Sequence, residues 1–254
     1  PPQEGKSQRV SRRYPLWTLT HNPNTRIAIV SYSHAVARRW GRTIRDDITT
    51  HPELGLTIRP DLSAQHEWQL AEAQGGVYTT GIGGSLTGRP VDLLIIDDPI
   101  KDREQADSTI YRNRVWDWWT DVASTRLAPG APVILILTRW HQDDLAGRLL
   151  NAPDGHRWKL LNIPAQAETN NDPLGRKPGQ WLQSSRRRTT KQWEAIKQQA
   201  GSRTFNSLYQ GHPSPPGGTI FNRDHWIIDP HPAWQADNNQ QHWVASGQVF
   251  TSWD

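Results

Sequence analysis

The stretch Val91-Asp-Leu-Leu-Ile-Ile-Asp97-Asp98-Pro99 decides the fold. Its apolar run Leu93 to Ile96 is that of a strand covered on both faces, as in the middle of a parallel sheet. Two adjacent carboxylates close it, and the carboxyl ends of strands are where open α/β sheets hold ligands. Neighbouring side chains on a strand point to opposite sides, so Asp97 and Asp98 are free to take different tasks.

Working outward, strand-like and helix-like segments alternate. Gly5 to about Thr20 reads as helix, Arg26 to Tyr32 as a β-branched strand, and His34 to Thr50 as a helix ended by His51-Pro52. Val77 to Thr80 is a short strand opening into the glycine-rich run Gly81 to Gly88. Arg103 to Arg126 reads as one long helix carrying Trp116, Trp118 and Trp119, which suit packing better than base stacking. Pro132 to Leu137 is a further strand, ending at Thr138, and Asp143 to Leu150 a helix whose entry loop contains His141. This alternation predicts an α/β fold with a mostly parallel sheet flanked by helices. Thr190 to Ala200 reads as helix, and Pro213 to Gly218 as a linker. Trp243-Val-Ala and Gln248 to Trp253 read as strands of a new unit.

Near the start stands Gly5-Lys6-Ser7. The phosphate-loop pattern is GxxxxGK[ST], whose first glycine would fall before Pro1. Alone, GKS is common by chance, and paired acids also end ordinary loops. Together with a third strand ending in Thr138, they point to phosphate chemistry. Backbone N–H groups at a helix start hold phosphate oxygens, the lysine reaches the outer phosphates and the serine hydroxyl ligates Mg²⁺. Asp97 is then expected in the Mg²⁺ shell, and Asp98 as the group orienting the attacking water.

Composition narrows the alternatives. The 254 residues contain no cysteine, which excludes disulfides, thiol nucleophiles and Cys-ligated zinc, and no methionine. A natural start upstream of Pro1 is therefore expected. No run approaches the ~18 apolar residues of a membrane span, so an intracellular protein without membrane attachment is expected. The net charge of +4 averages a pattern: residues 1–60 and 154–203 each carry ten bases and four acids, while 61–153 carries thirteen acids and eight bases. Basic blocks around an acidic middle suit contact with phosphates in one place and gathered carboxylates in another.

Five runs, at residues 1–17 (PPQEGKSQRVSRRYPLW), 27–34 (IAIVSYSH), 83–108 (GGSLTGRPVDLLIIDDPIKDREQADS), 134–149 (ILILTRWHQDDLAGRL) and 207–221 (SLYQGHPSPPGGTIF), carry a resemblance to the large terminase subunit of tailed phages. The resemblance implies a P-loop ATPase domain over 1–200, a linker over 201–240 and the first strands of an RNase H-like nuclease domain over 241–254. It implies an ATP- and Mg²⁺-dependent motor that drives double-stranded viral DNA into a procapsid and, in the complete protein, cleaves the concatemer with two divalent metals. Carried over by position, Gly5, Lys6 and Ser7 match the Walker A loop, Asp97 the Walker B aspartate and Asp98 the catalytic carboxylate. Many relatives have Glu at that last position, and the shorter Asp leaves the water's placement less defined. Thr138 matches the coupling motif, and Asp254 one acid of the nuclease site. Arg89 is the candidate arginine finger acting on a neighbouring subunit, the plainer reading being a surface arginine or a pair with Asp92. Implied partners are the DNA, the small terminase subunit, the procapsid portal and further copies of the chain in a ring. The implied location is the host cytoplasm, docked at the portal vertex and absent from the mature virion. Another P-loop DNA motor such as a helicase, or a non-catalytic DNA-binding assembly module, are the alternatives.

Overall fold

A computed structural model describes residues 1–214 and the backbone of two short strands beyond them. Helical structure starts at Lys6, passes through a π-helical stretch at Gln8–Arg13 and continues as α1 (Tyr14–His21). Then follow β1 (Arg26–Ser31), α2 (His34–Thr50), β2 (Ile58–Ser63), β3 (Glu67–Leu70), β4 (Gly76–Gly81) and β5 (Leu93–Asp97). After them come α3 (Arg103–Asp107), α4 (Thr109–Asp117), β6 (Val133–Ile136), α5 (Leu145–Asn151) and α6 (Thr190–Thr204). The strands form a six-stranded sheet in the order β2-β3-β4-β1-β5-β6. Its β4-β1-β5-β6 portion is parallel, and β2 and β3 run antiparallel at one side.

The alternation of side chains along β1 and β5 builds two cores. Ala28, Val30, Leu94 and Ile96 face one side, where Val115, Trp118, Leu145 and Leu149 cover them. Ile27, Ile29, Leu93 and Ile95 face the other, against Leu19, Ile44, Ile48 and Trp68. That double covering is why the strands read as continuous apolar runs. Trp116 and Trp119 pack against the first core, as expected of a helix face rather than a base-stacking surface. A third, small core gathers Ala165, Trp193 and Phe205, with Trp181 and Tyr209 packed on it.

Two elements differ from the sequence expectation. The hairpin β2–β3 has no counterpart in it. β2 carries Pro60 and Asp61, which weaken a strand signal and are tolerated because β2 is an edge strand with a shifted register. The long helix expected over Arg103 to Arg126 is broken at Ser108, whose backbone is extended. The break is sealed by Arg112, a buried residue whose Nη1 donates to the Ala106 carbonyl at 2.6 Å, satisfying a carbonyl that the end of α3 leaves free.

The compact unit holding the sheet runs from Pro1 to Pro216, and α6 with the π-helical stretch Phe205–Gln210 after it contributes to the third core. A second unit spans Gly217–Asp254, within which β7 (Trp234–Ala236) pairs antiparallel with β8 (Trp243–Ala245). The expected strand Gln248 to Trp253, the RNase H-like assignment of 241–254 and Asp254 otherwise lie outside the described residues. Among the described residues, no helix is long and apolar enough to cross a membrane.

Ile95 is fully buried between paired strands. Ile95→Ala should therefore cost about 2–5 kcal/mol of unfolding free energy, read as a lowered midpoint in urea titration. A loss below about 0.5 kcal/mol, the range of surface changes, would show that this face is not the core.

Candidate active site

β1 is followed in the sheet by β4 on one side, whereas β5 is followed by β6 on the other. The order reverses between β1 and β5, and the carboxyl ends of strands at such a switch point are where open α/β sheets place ligands. Asp97 ends β5 there and is almost fully buried. Ser7 Oγ donates to Asp97 Oδ1 at 2.9 Å and Ser11 Oγ donates to Oδ2 at 2.8 Å. Both serines come from the first helical turns, four residues apart on one face. Ser11 lies within the π-helical stretch that starts at Gln8, directly after Ser7, and such bulges recur at functional sites.

Asp98 occupies the next position with φ +46, a left-handed backbone that short polar side chains tolerate. Its Oδ1 accepts the Thr138 N–H at 3.0 Å, joining the ends of β5 and β6. Thr138 Oγ1 in turn accepts from Lys6 Nζ at 3.4 Å, and Lys6 Nζ also reaches the Pro1 carbonyl at 3.3 Å. Lys6, Ser7, Asp97, Asp98 and Thr138, spread through more than half of the sequence, thus meet in one cluster. The adjoining loop has left-handed residues at Gln3 and Gly5. A Cβ on Gly5 would meet nothing, so glycine serves its φ of +83 rather than close packing.

The electrostatics follow from burial. Desolvation raises the pKa of Asp97, with the nearby Asp98 adding to it and the bonds from Ser11 and Ser7 opposing it. Desolvation likewise raises Asp98, against the Thr138 N–H and the Lys6 charge. Burial lowers the Lys6 ammonium, and Asp98 and Asp97 pull the other way. Two carboxylates and an ammonium held against their solvation preferences mark a functional-site candidate.

Arg89 stands apart from this cluster. Its Nη2 donates to Glu67 Oε2 at 2.8 Å, and its guanidinium lies 4.3 Å from the Tyr78 ring centroid. Asp92, the partner weighed from sequence, is taken by Arg26 instead, at 2.7 and 2.8 Å. Arg12 is held by Asp47 at 2.6 and 2.8 Å, while Arg9 and Arg13 are exposed. The His141 loop is a capping loop: Asp144 accepts from Gly147 N–H at 2.8 Å at the start of α5 and pairs with Arg139. The described residues contain no group of three or more His, Asp or Glu suited to a metal.

Two parts of the site escaped sequence reasoning. Ser11 was signalled only by its four-residue spacing from Ser7. Glu4, inside the loop, is bound by Ser184, Ser185 and Arg188, and nothing local announces a partner so distant.

The fold and site define an α/β protein in which a lysine, two serine hydroxyls and paired carboxylates converge at the switch point of its sheet. The family model described as terminase large subunit, T4likevirus-type, N-terminal, matches residues 1–226, and the chain belongs to that family. Membership supports a role in bacteriophage DNA packaging and the standing of an enzyme. A search of curated proteins returns no match.

Burial raises the folded pKa of Asp98 above its unfolded value of about 4. The ionised form is thus a cost at neutral pH, and the cost disappears as pH falls through the raised value. Asp98→Asn should raise the thermal midpoint at pH 7, with the difference shrinking as pH falls through the raised value and gone by about pH 4. A lowered midpoint at pH 7 would mean that the bond to Thr138 outweighs desolvation.

Proposed function

We propose that the unit is the ATP-hydrolysing motor of a phage terminase, coupling cleavage of the γ-phosphate to translocation of double-stranded DNA into a procapsid. The observation that carries this reading is the junction of Lys6, Ser7, Asp97, Asp98 and Thr138 at the switch point. Family membership over residues 1–226 supports it.

Ser7 and Asp97 are hard oxygen donors of the kind Mg²⁺ takes, and their oxygens lie 2.9 Å apart, so the donor set fits that ion. Bound there, Mg²⁺ would neutralise charge on the phosphate oxygens. Gly5, Lys6 and Ser7 bind the phosphates through backbone N–H groups at the helix start and through the lysine ammonium. Lys6 is already desolvated, so its charge acts on an anion more strongly than it would in water. Asp98 keeps one carboxylate oxygen on the Thr138 N–H, while the other carries no hydrogen bond among the described residues. That free oxygen orients the attacking water and accepts its proton, which the raised basicity of a buried carboxylate favours. Thr138, bonded to both Lys6 and Asp98, senses whether the outer phosphate is present and passes the change to the loop after β6.

Arg89 is proposed to act on a neighbouring subunit of a ring after leaving Glu67. Exposed Arg9, Arg13, Arg186 and Arg187 are candidates for DNA phosphates. The small terminase subunit and the portal are the proposed protein partners, and the host cytoplasm at the portal vertex is the proposed location. The nuclease role, with Asp254 and two metals, is proposed for the complete protein.

Lys6→Ala should abolish DNA-stimulated ATP turnover without changing the far-UV circular dichroism, and undiminished turnover would overturn the phosphate-loop reading. Asp98→Asn should bind ATP but lose at least about 100-fold in kcat; wild-type rates would move the base elsewhere. An Arg89→Ala subunit mixed with a Lys6→Ala subunit should regain activity if the finger acts across subunits, and no recovery argues against that role.

A further inference from the structure

Glu4 is a poor choice beside a polyanion. It directly precedes Gly5, and an uncompensated carboxylate there repels phosphate. The fold removes that charge from the loop's mouth. The Glu4 side chain is only 6% exposed and both of its oxygens are occupied. Oε1 accepts from Ser184 Oγ at 2.9 Å and from the Arg188 guanidinium. Oε2 accepts from the Ser185 N–H at 2.7 Å and its hydroxyl at 3.0 Å. Arg188 Nη2 also donates to Gln3 Oε1 at 3.2 Å, helping to hold Gln3 at φ +62, which a non-glycine residue rarely adopts. Desolvation pushes the Glu4 pKa up, but the bonds from Ser184 and Ser185 and the Arg188 charge more than offset this, and the carboxyl stays ionised below its usual range.

The clamp is anchored in turn. The Arg188 guanidinium lies 5.1 Å from the ring centroid of Trp193, which is fully buried in the third core. Thr189, the next residue, caps α6 through a reciprocal pair of bonds with Gln192. The loop is therefore fastened to the start of α6 across more than 180 residues of sequence.

We propose that Arg188, with Ser184 and Ser185, forms a positioning clamp that turns the Glu4 charge away from incoming polyphosphate and sets the loop's conformation from the α6 side. This rests on the phosphate-loop reading of Gly5–Ser7. Without Arg188, ionised Glu4 repels the nucleotide in the ground and transition states alike. Affinity then suffers and the chemical step does not.

The test is a double-mutant cycle in the full chain. It reads KM and kcat for MgATP, binding of a fluorescent ATP analogue, and thermal unfolding without nucleotide. Arg188→Ala should raise KM and the analogue's Kd about tenfold with kcat nearly unchanged. Glu4→Gln in that background should restore most of the affinity, because the repelling charge is gone. Arg188→Lys should stay closer to wild type than Arg188→Ala. Should Arg188→Ala unfold, Ser184→Ala is the milder probe, expected to give a smaller rise in KM that Glu4→Gln again reverses. Unchanged affinity in Arg188→Ala, or in Ser184→Ala where that substitutes, overturns the clamp alone. So does weakened affinity that Glu4→Gln leaves unrepaired, since a purely structural role gives that pattern. A wild-type chain that binds no nucleotide overturns the phosphate-loop reading and the clamp together.

Discussion

The architecture hinges on one buried carboxylate. Asp97 ends the central strand β5 almost out of reach of water, and two serine hydroxyls from the first helical turns occupy its two oxygens. An ionised group in that position is tolerated only if its hydrogen bonds are made. The helix containing Ser7 and Ser11 therefore cannot drift from the sheet without exposing an unpaired charge to an apolar surrounding. That constraint fixes Lys6 next to Thr138 beyond the end of β6 and keeps Gly5 beside the cluster. It ties the two ends of the site together before any ligand arrives.

The site runs against the preferences that stabilise the rest of the unit. Either side of the sheet buries aliphatic side chains in the usual way, while its carboxyl edge buries two acids and an amine whose solvation is reduced. Proteins commonly give up stability at sites where charge must be poised. Here the cost is shared with neighbours. Asp98 leans on a backbone N–H of the next strand, Lys6 on a hydroxyl and a carbonyl, and Glu4 on a turn next to α6. Thr138 supports Asp98 and Lys6 together, while the segment before α6 supports Glu4, so a change at either place is felt at the site.

Much of the sheet was legible because its signal is local. The strand runs of β1, β4, β5 and β6 and the breaker His51-Pro52 are read within a few residues. The hairpin β2–β3 was illegible because an edge strand with one wet face and a proline carries a weak pattern. The break at Ser108 was hidden for another reason: the side chain that seals it, Arg112, lies in what reads as the same helix. Arg89 shows the limit for charged residues. Asp92 lies near it in sequence, yet the closing of the sheet gives Asp92 to Arg26 and presents Glu67 to Arg89.

The sequence by itself determined the alternation of strands and helices, the two acids at the end of β5, and the residue types suited to phosphate. Those depend on periodicity and on neighbours along the chain. Only the tertiary structure decided that Ser11 shares Asp97, that Thr138 bridges Lys6 and Asp98, and that Glu4 is neutralised from beside α6. Those partners are separated by 86, 132, 40 and 184 residues. A side chain's choice among many possible counter-charges is made by which backbones the sheet order brings within about 3 Å, and no local pattern contains that information.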